Sequence, residues 1–206
     1  MIYPIVVYGS PVLRKKAPEI GADYPNLKKF VADMFETMER SDGIGLAAPQ
    51  VGKSIRIFVI DASPLSDEHP ELEGFRKAFI NPKIVEHSED LVNYNEGCLS
   101  LPTIREDIQR PSQIKISYVD EDFNVFEETY EGIIARIIQH EYDHLDGILL
   151  VDHLNPLKRK MLQGKLKDIS KGKVEVAYKI KTAVWNWINI FFIKNPVATL
   201  HDFKTQ

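Results

Sequence analysis

The sequence predicts an α+β fold built on a mostly antiparallel sheet. Short β-branched runs between residues 55 and 131 come before two C-terminal helical stretches, and strands and helices do not alternate as they would in a parallel α/β protein. The scale fits one domain. The chain has 206 residues, 44% hydrophobic and 27% charged, which is enough for a real core and unlike a disordered or fibrous composition.

The elements follow in order. NLKKFVADMFETMERSD places Leu27, Phe30, Val31, Met34, Phe35 and Met38 at helical spacing, which predicts an amphipathic helix. IRIFVID, residues 55–61, is short, β-branched and bounded by Lys-Ser and Ser-Pro, which predicts a strand. Residues 63–74 are acidic and hold two prolines, so an exposed loop is expected. KAFINPKIV, QIKISYVD and VFEETYE are further strands, with a turn at 120–124 between the last two. EGIIARIIQHEYDHLDG changes period: Ile133, Ile134, Ile137, Ile138, His144 and Leu145 follow helical spacing and Gly147 supplies a stop. A basic helix is expected from Asn155 to Ser170, then a late strand over KVEVAYKI.

Composition narrows the class of function. A single cysteine, Cys98, rules out a disulfide framework within the chain and fits a reducing compartment. The N-terminus, MIYPIVVYGSPVLRKK, is apolar before it is basic. That is the reverse of a secretory signal, so a cytoplasmic protein is expected. The longest apolar stretch, AVWNWINIFFI at 183–193, is interrupted by Asn186 and Asn189 and is too short for a membrane span. A formal net charge of −4 gives no global signal for nucleic acid, and no DNA partner is expected. The charge is nevertheless uneven. Residues 158–181 carry nine basic and two acidic side chains, a local balance of +7. That segment is either a solvated face or a docking surface for an anionic partner.

The sharpest motif is His140-Glu141-Tyr142-Asp143-His144. Residues four apart on a helix share a face, so two imidazoles can grip one metal ion while Glu141 reaches a water beside it. His140 and His144 continue the stripe of Ile133 and Ile137, which points both rings inward, where adjacent polar groups need partners. A metzincin protease would need a third histidine where Leu150 stands, and the glutamate-ligand proteases need a glutamate that the basic helix lacks. His153 follows the helix stop. The third ligand is therefore sought upstream, and Cys98, flanked by glycine in Glu96-Gly97-Cys98-Leu99-Ser100 just after a strand, is the candidate. A thiolate and two imidazoles leave a fourth position open, as catalysis requires. In Gly43-Ile44-Gly45-Leu46-Ala47-Ala48-Pro49-Gln50, two glycines permit close approach of backbone to a ligand and Gln50 offers an amide donor.

Taken in order, GIGLAAPQ, EGCLS and HEYDH resemble peptide deformylase, the family that removes the formyl group from the N-terminal formyl-methionine of nascent bacterial proteins. The resemblance covers residues 1 to 180. It implies antiparallel strands wrapped around the H-E-x-x-H helix, with residues 1–181 as a catalytic domain and 182–206 as an extension, since relatives usually end near there. It implies that Cys98, His140 and His144 bind the metal. Glu141 would be general base and acid, and Gln50 and the Leu99 N–H would hold the formyl oxygen. Ile44, Gly45 and Gly97 would line the peptide groove, and Ile44, Ile133 and Ile137 would shape the methionine pocket. Glu96 would pair with Arg110, and Arg105 would stand near the groove. Arg136 falls where relatives often carry an aliphatic residue. The family commonly uses Fe²⁺, although such a donor set also accepts Zn²⁺, Ni²⁺ or Co²⁺. The implied partners are formyl-Met nascent peptides, with weak ribosome docking through residues 158–181.

Two other readings use the same residues. A metallopeptidase would cleave unformylated peptides with the same helix. A metal-stabilised binding module would need neither Glu141 nor Gln50. The tail from 182 gathers Trp185, Trp187, Ile188, Phe191 and Phe192, a cluster costly to leave in water, and packing on its own domain or self-association is expected of it.

Overall fold

A computed structural model describes residues 1–183. The apolar tail lies outside the described residues, apart from its first two. Among the described residues no helix is long and apolar enough to cross a membrane.

The centre is an antiparallel five-stranded sheet of β2 (Gly45–Ala47), β3 (Ile57–Asp61), β4 (Arg76–His87), β7 (Gln113–Val119) and β8 (Val125–Glu131), in the order β2-β3-β4-β7-β8. β3 carries apolar residues without alternation because both its faces are covered. Phe58 and Ile60 face a core shared with Phe79, Ile116, Ile134, Ile137 and Ile138. Ile57 and Val59 face another, shared with Phe30, Met34 and Met38. The first core is formed with helix α2 (Gly132–Leu145) and the second with helix α1 (Leu27–Arg40). The apolar stripe read from the sequence of α1 is its buried face.

β4 is bent where Asn81 precedes Pro82. Asn81 has φ +49°, the β4–β7 register shifts between Ile80 and Lys83, and the Asn81 amide exchanges two hydrogen bonds with the Ile20 backbone, at 2.9 and 2.8 Å. β5 (Leu91–Gly97) and β6 (Arg105–Pro111) form a separate two-stranded hairpin. It leads directly into Cys98.

Several expectations need correction. The basic helix is two helices, α3 (Pro156–Met161) and α4 (Gln163–Ser170), with Leu162 between them. α3 buries no residue, whereas α4 docks through Leu166 and Ile169, so one straight helix would not present that face to the core. The late strand shrinks to β9 (Ile180–Lys181), paired in parallel with β1 (Ile5–Val6). Residues 63–74 are more than an exposed loop, since two 3₁₀ turns bury Leu65 and Leu72 while Asp67, Glu68, Glu71 and Glu73 stay exposed. The GIGLAAPQ segment contains β2 and leads into a 3₁₀ turn over Ala48–Val51.

Candidate metal centre

Two distant parts of the chain converge at one end of α2. The helix presents His140 and His144 one turn apart, with ring centroids 5.2 Å from each other. The β5–β6 hairpin delivers Cys98, whose Sγ lies 3.3 Å from Nε2 of His144. One ligand atom from each of Cys98, His140 and His144 lies within 4.8 Å of the others. Nδ1 of His140 is held by Oε2 of Glu96 at 2.9 Å, which leaves Nε2 as that ring's free ligand atom.

The donors themselves fit a metal ion. A thiolate and two imidazoles are soft to borderline ligands suited to a divalent transition ion. Among the described residues, the buried side-chain polar atoms without a hydrogen-bond partner are Oε2 of Glu141 and Nδ1 of His144. Both belong to this cluster, and buried polar groups are rarely left so.

Electrostatics favour the thiolate form of Cys98 and, with the thiolate and Glu96 beside it, a charged His140 that gives up its proton when a cation binds. Burial alone would raise the Cys98 thiol, but the His144 charge and hydrogen bonds from both histidines outweigh it and lower the pKa to about 5. Burial also opposes the His140 cation, yet its bonds with Cys98 and Glu96 leave it raised well above the usual histidine range. Glu96 resists its burial through hydrogen bonds from His140 and Arg110, and its pKa is held far below the carboxylate range. Glu141 moves the other way: burial dominates, His140 and His144 only partly offset it, and its pKa rises to about 7. A carboxyl poised there can accept and return a proton near neutrality.

Of the predicted groove residues, Gly45 and Gln50 lie beside this cluster and Gly97 precedes its thiol. Gly45 faces Glu141 so closely that a Cβ would lie 2.4 Å from Oε1. Gln50 is 1% exposed. Its Oε1 accepts from the Ala47 N–H at 2.7 Å, while Nε2 faces Ser100 Oγ at 3.3 Å and Cys98 Sγ at 3.7 Å. The two donor contacts are long, so the amide is anchored through its oxygen and loosely held through its nitrogen. Ile44, Ile133 and Ile137 belong to one apolar cluster. Arg105 donates to Asn95 Oδ1 and Asn95 O at 2.9 and 3.0 Å, and a Cβ on Gly97 would meet its Nη1 at 3.0 Å.

Some placements have no counterpart in the sequence reading. Arg136 turns into the hairpin, donating to Glu96 Oε1 and Ile108 O, each at 2.9 Å. Arg110 forks onto Glu96 at 2.8 and 3.0 Å, as the resemblance implies, and also reaches Asp143 at 2.7 Å. His153 pairs with Asp143 at 2.7 Å and stays outside the ligand cluster. Tyr178, from the late segment, donates to Leu99 O at 2.9 Å and pins the residue beside the ligand. No local pattern singles out Tyr178, because its partner is 79 residues away.

Comparison with known proteins adds an independent line. The family model described as polypeptide deformylase matches residues 2–160. A peptide deformylase of Flavobacterium johnsoniae is 50% identical over 190 residues, covering 89% of this chain and 97% of that protein. One from Cytophaga hutchinsonii is 50% identical over 181 residues, covering 88% and 97%. Among solved structures, the peptide deformylase of Thermotoga maritima superposes with a TM-score of 0.69 at 43% identity, covering 76% of this chain and 99% of that one. Arabidopsis thaliana peptide deformylase 1B, bound to an inhibitor, gives 0.73 at 38% identity, covering 82% and 91%.

Proposed function

The chain belongs to the polypeptide deformylase family and is an enzyme that removes the N-formyl group from nascent peptides, and from that premise we propose how its residues divide the work. The observation that carries the proposal is the convergence of Cys98, His140 and His144 beside the buried Glu141, whose Oε2 has no hydrogen-bond partner.

The Cys98, His140 and His144 set suits a divalent metal ion. A divalent cation there would supply Lewis acidity at the formyl carbonyl and make water ionisable near neutral pH. Glu141 takes a proton from the attacking water. The oxygen adds to the formyl carbon, the C–N bond breaks, and Glu141 returns the proton to the leaving amine, giving formate and a free N-terminus. The Gln50 amide and the Leu99 N–H donate to the carbonyl oxygen as it gains charge, and loss of one such donor costs about 10²–10³ in rate. Ile44, Ile133 and Ile137 accept the methionine side chain, whose full burial contributes roughly 1.5–3 kcal/mol. Gly45 and Gly97 let the peptide backbone come close, with Arg105 at the groove's edge.

We assign residues 1–181 to the catalytic domain. We take Fe²⁺ as the native ion, with Zn²⁺, Ni²⁺ and Co²⁺ as substitutes the donors accept. A thiolate beside ferrous iron is open to oxidation, so anaerobic purification should preserve activity. Equal activity after aerobic handling would favour a redox-quiet ion. Nascent chains as substrate imply a cytoplasmic site of action, and the basic 158–181 segment suits weak docking to ribosomal phosphate.

The deciding experiment is formate release from formyl-Met-Ala, with metal analysis of the same sample and a fluorogenic unformylated peptide alongside. Formate release with one metal per chain and an intact second peptide is expected. Cleavage of the unformylated peptide would favour the metallopeptidase. A Cys98→Ser variant with unchanged metal and activity would require another third ligand.

A further inference from the structure

Arg136 takes no part in the chemistry above, yet it is only 5% exposed. A buried guanidinium is costly unless its donors are satisfied. Balancing Glu96 does not explain it, because Arg110 already forks onto both oxygens of that carboxylate. A second arginine on the same group adds like-charge repulsion from Arg110.

Its remaining partners explain it better. Nη1 donates to Ile108 O on β6 at 2.9 Å, and Nη2 donates to Val92 O on β5. The guanidinium also lies 5.8 Å from the centre of the Tyr94 ring on β5. One side chain of α2 therefore grips the backbone of both hairpin strands and the carboxylate that orients His140. Arg136 sits one helical turn before His140, and Glu96 sits two residues before Cys98.

The hairpin needs such a grip. β5 and β6 form a sheet of two strands only, and two strands are marginal without support. Other ties from α2 reach both strands by side chains: Gln139 Nε2 donates to Pro111 O at 2.9 Å and Asp143 accepts from Arg110 at 2.7 Å on β6, and His140 Nδ1 meets Glu96 Oε2 on β5 at 2.9 Å. Arg136 also holds the backbone of β5, the strand that runs into the thiol. Its planar fork of five donors spans fixed acceptors on both strands from one rigid plane, where a lysine offers three donors on a single point charge.

We propose that Arg136 is a positioning residue, fixing the strand that delivers Cys98 against the helix that delivers His140 and His144 and so setting how tightly the centre holds its cation. The inference rests on the metal-centre reading above.

The test uses Co²⁺ in the full chain, comparing the parent with Arg136→Lys and Arg136→Met. The readouts are the thiolate-to-cobalt and d–d absorption bands, the rate of Co²⁺ release to a chelator, and thermal unfolding. Partners beyond the ligands typically change metal affinity by 10–100-fold, so release about tenfold faster is expected in both variants, with shifted d–d bands. Parent-like bands and release rates, whatever the unfolding temperature, would overturn the proposal. If neither variant folds, hydrogen exchange in the parent decides. Stripping the metal should leave the amides of β5 protected, because Arg136 holds them without a cation. Opening of β5 while α2 stays protected would assign the grip to the metal instead. A parent that shows no thiolate-to-cobalt band would defeat the metal-centre reading itself, a separate outcome.

Discussion

A Cβ on Gly45 would stand 2.4 Å from Oε1 of Glu141 and 2.9 Å from its Cδ and Cγ. Turning the carboxylate alone would not relieve that clash, so the whole side chain would have to move. Gly45 lies in a strand and has no left-handed backbone, so the backbone accepts alanine, and the three atoms nearest its Cβ would all belong to Glu141. Gly45→Ala should keep its metal and fold but lose at least ~10² in formate release from formyl-Met-Ala, the lower range for a displaced acid–base group. Activity near that of the parent would mean that the carboxylate does not work from this position.

Glu141→Gln tests the proton transfer without the steric change. Glutamine keeps the volume and removes the titrating oxygen. Metal content should be unchanged, and turnover should fall by about 10²–10⁴. A variant that deformylates at the parent rate would remove Glu141 as the base.

Periodicity made α1, α2 and the two histidines legible in the sequence. The stripe from Leu27 to Met38 and the continuation of Ile133 and Ile137 into His140 and His144 are local patterns, and the structure buries the residues they mark. Cys98 was legible because a helix short of one ligand and a lone thiol limit the choices. β6, by contrast, alternates charged residues with Ile108 and ends on Arg110-Pro111. Its register is fixed by β5 and by the guanidinium of Arg110 rather than by apolar residues. The KVEVAYKI alternation misled because a strand needs a neighbour, and β1 offers only Ile5 and Val6. Arg136 and Tyr178 were invisible as supports, since what they hold are distant carbonyls.

Acid should loosen the network that aims His140. Glu96 is 5% exposed, and its folded pKa is depressed below the ordinary 4.5. Asp143 is depressed below 3.8, its burial outweighed by His153 and Arg110. A depressed carboxylate gives stability that is fully present above the unfolded pKa and lost as pH falls toward the folded one. The unfolding temperature of the metal-free protein should therefore decline as pH drops below about 4.5. Glu96→Gln should be less stable by about 3–5 kcal/mol near neutrality, since it leaves two buried arginines short of their counter-charge. Its decline below that pH should be shallower than the parent's. Parallel slopes would show that Glu96 is not part of the acid response.

The basic C-terminal face offers the last test, and the structure decides which residues to change. Lys158 is bound to Glu106 at 3.0 Å, and Arg159 to Asp152 at 2.7 Å. Reversing those charges would set acid against acid within the protein and blur the result. Lys160, Lys165 and Lys167 are exposed on α3 and α4, so Glu at all three probes docking with less disturbance of the fold. A lysine that neutralises a phosphate releases a counterion, so removing one such lysine lowers the slope of log affinity against log salt by about 1. Co-sedimentation of the triple variant with ribosomes should be weaker at low salt and less salt-sensitive than the parent's. Its turnover of free formyl-Met-Ala should be unchanged, because none of the three belongs to the metal centre. A triple variant that co-sediments like the parent at every salt concentration would show that ribosomal phosphate is not what this face binds.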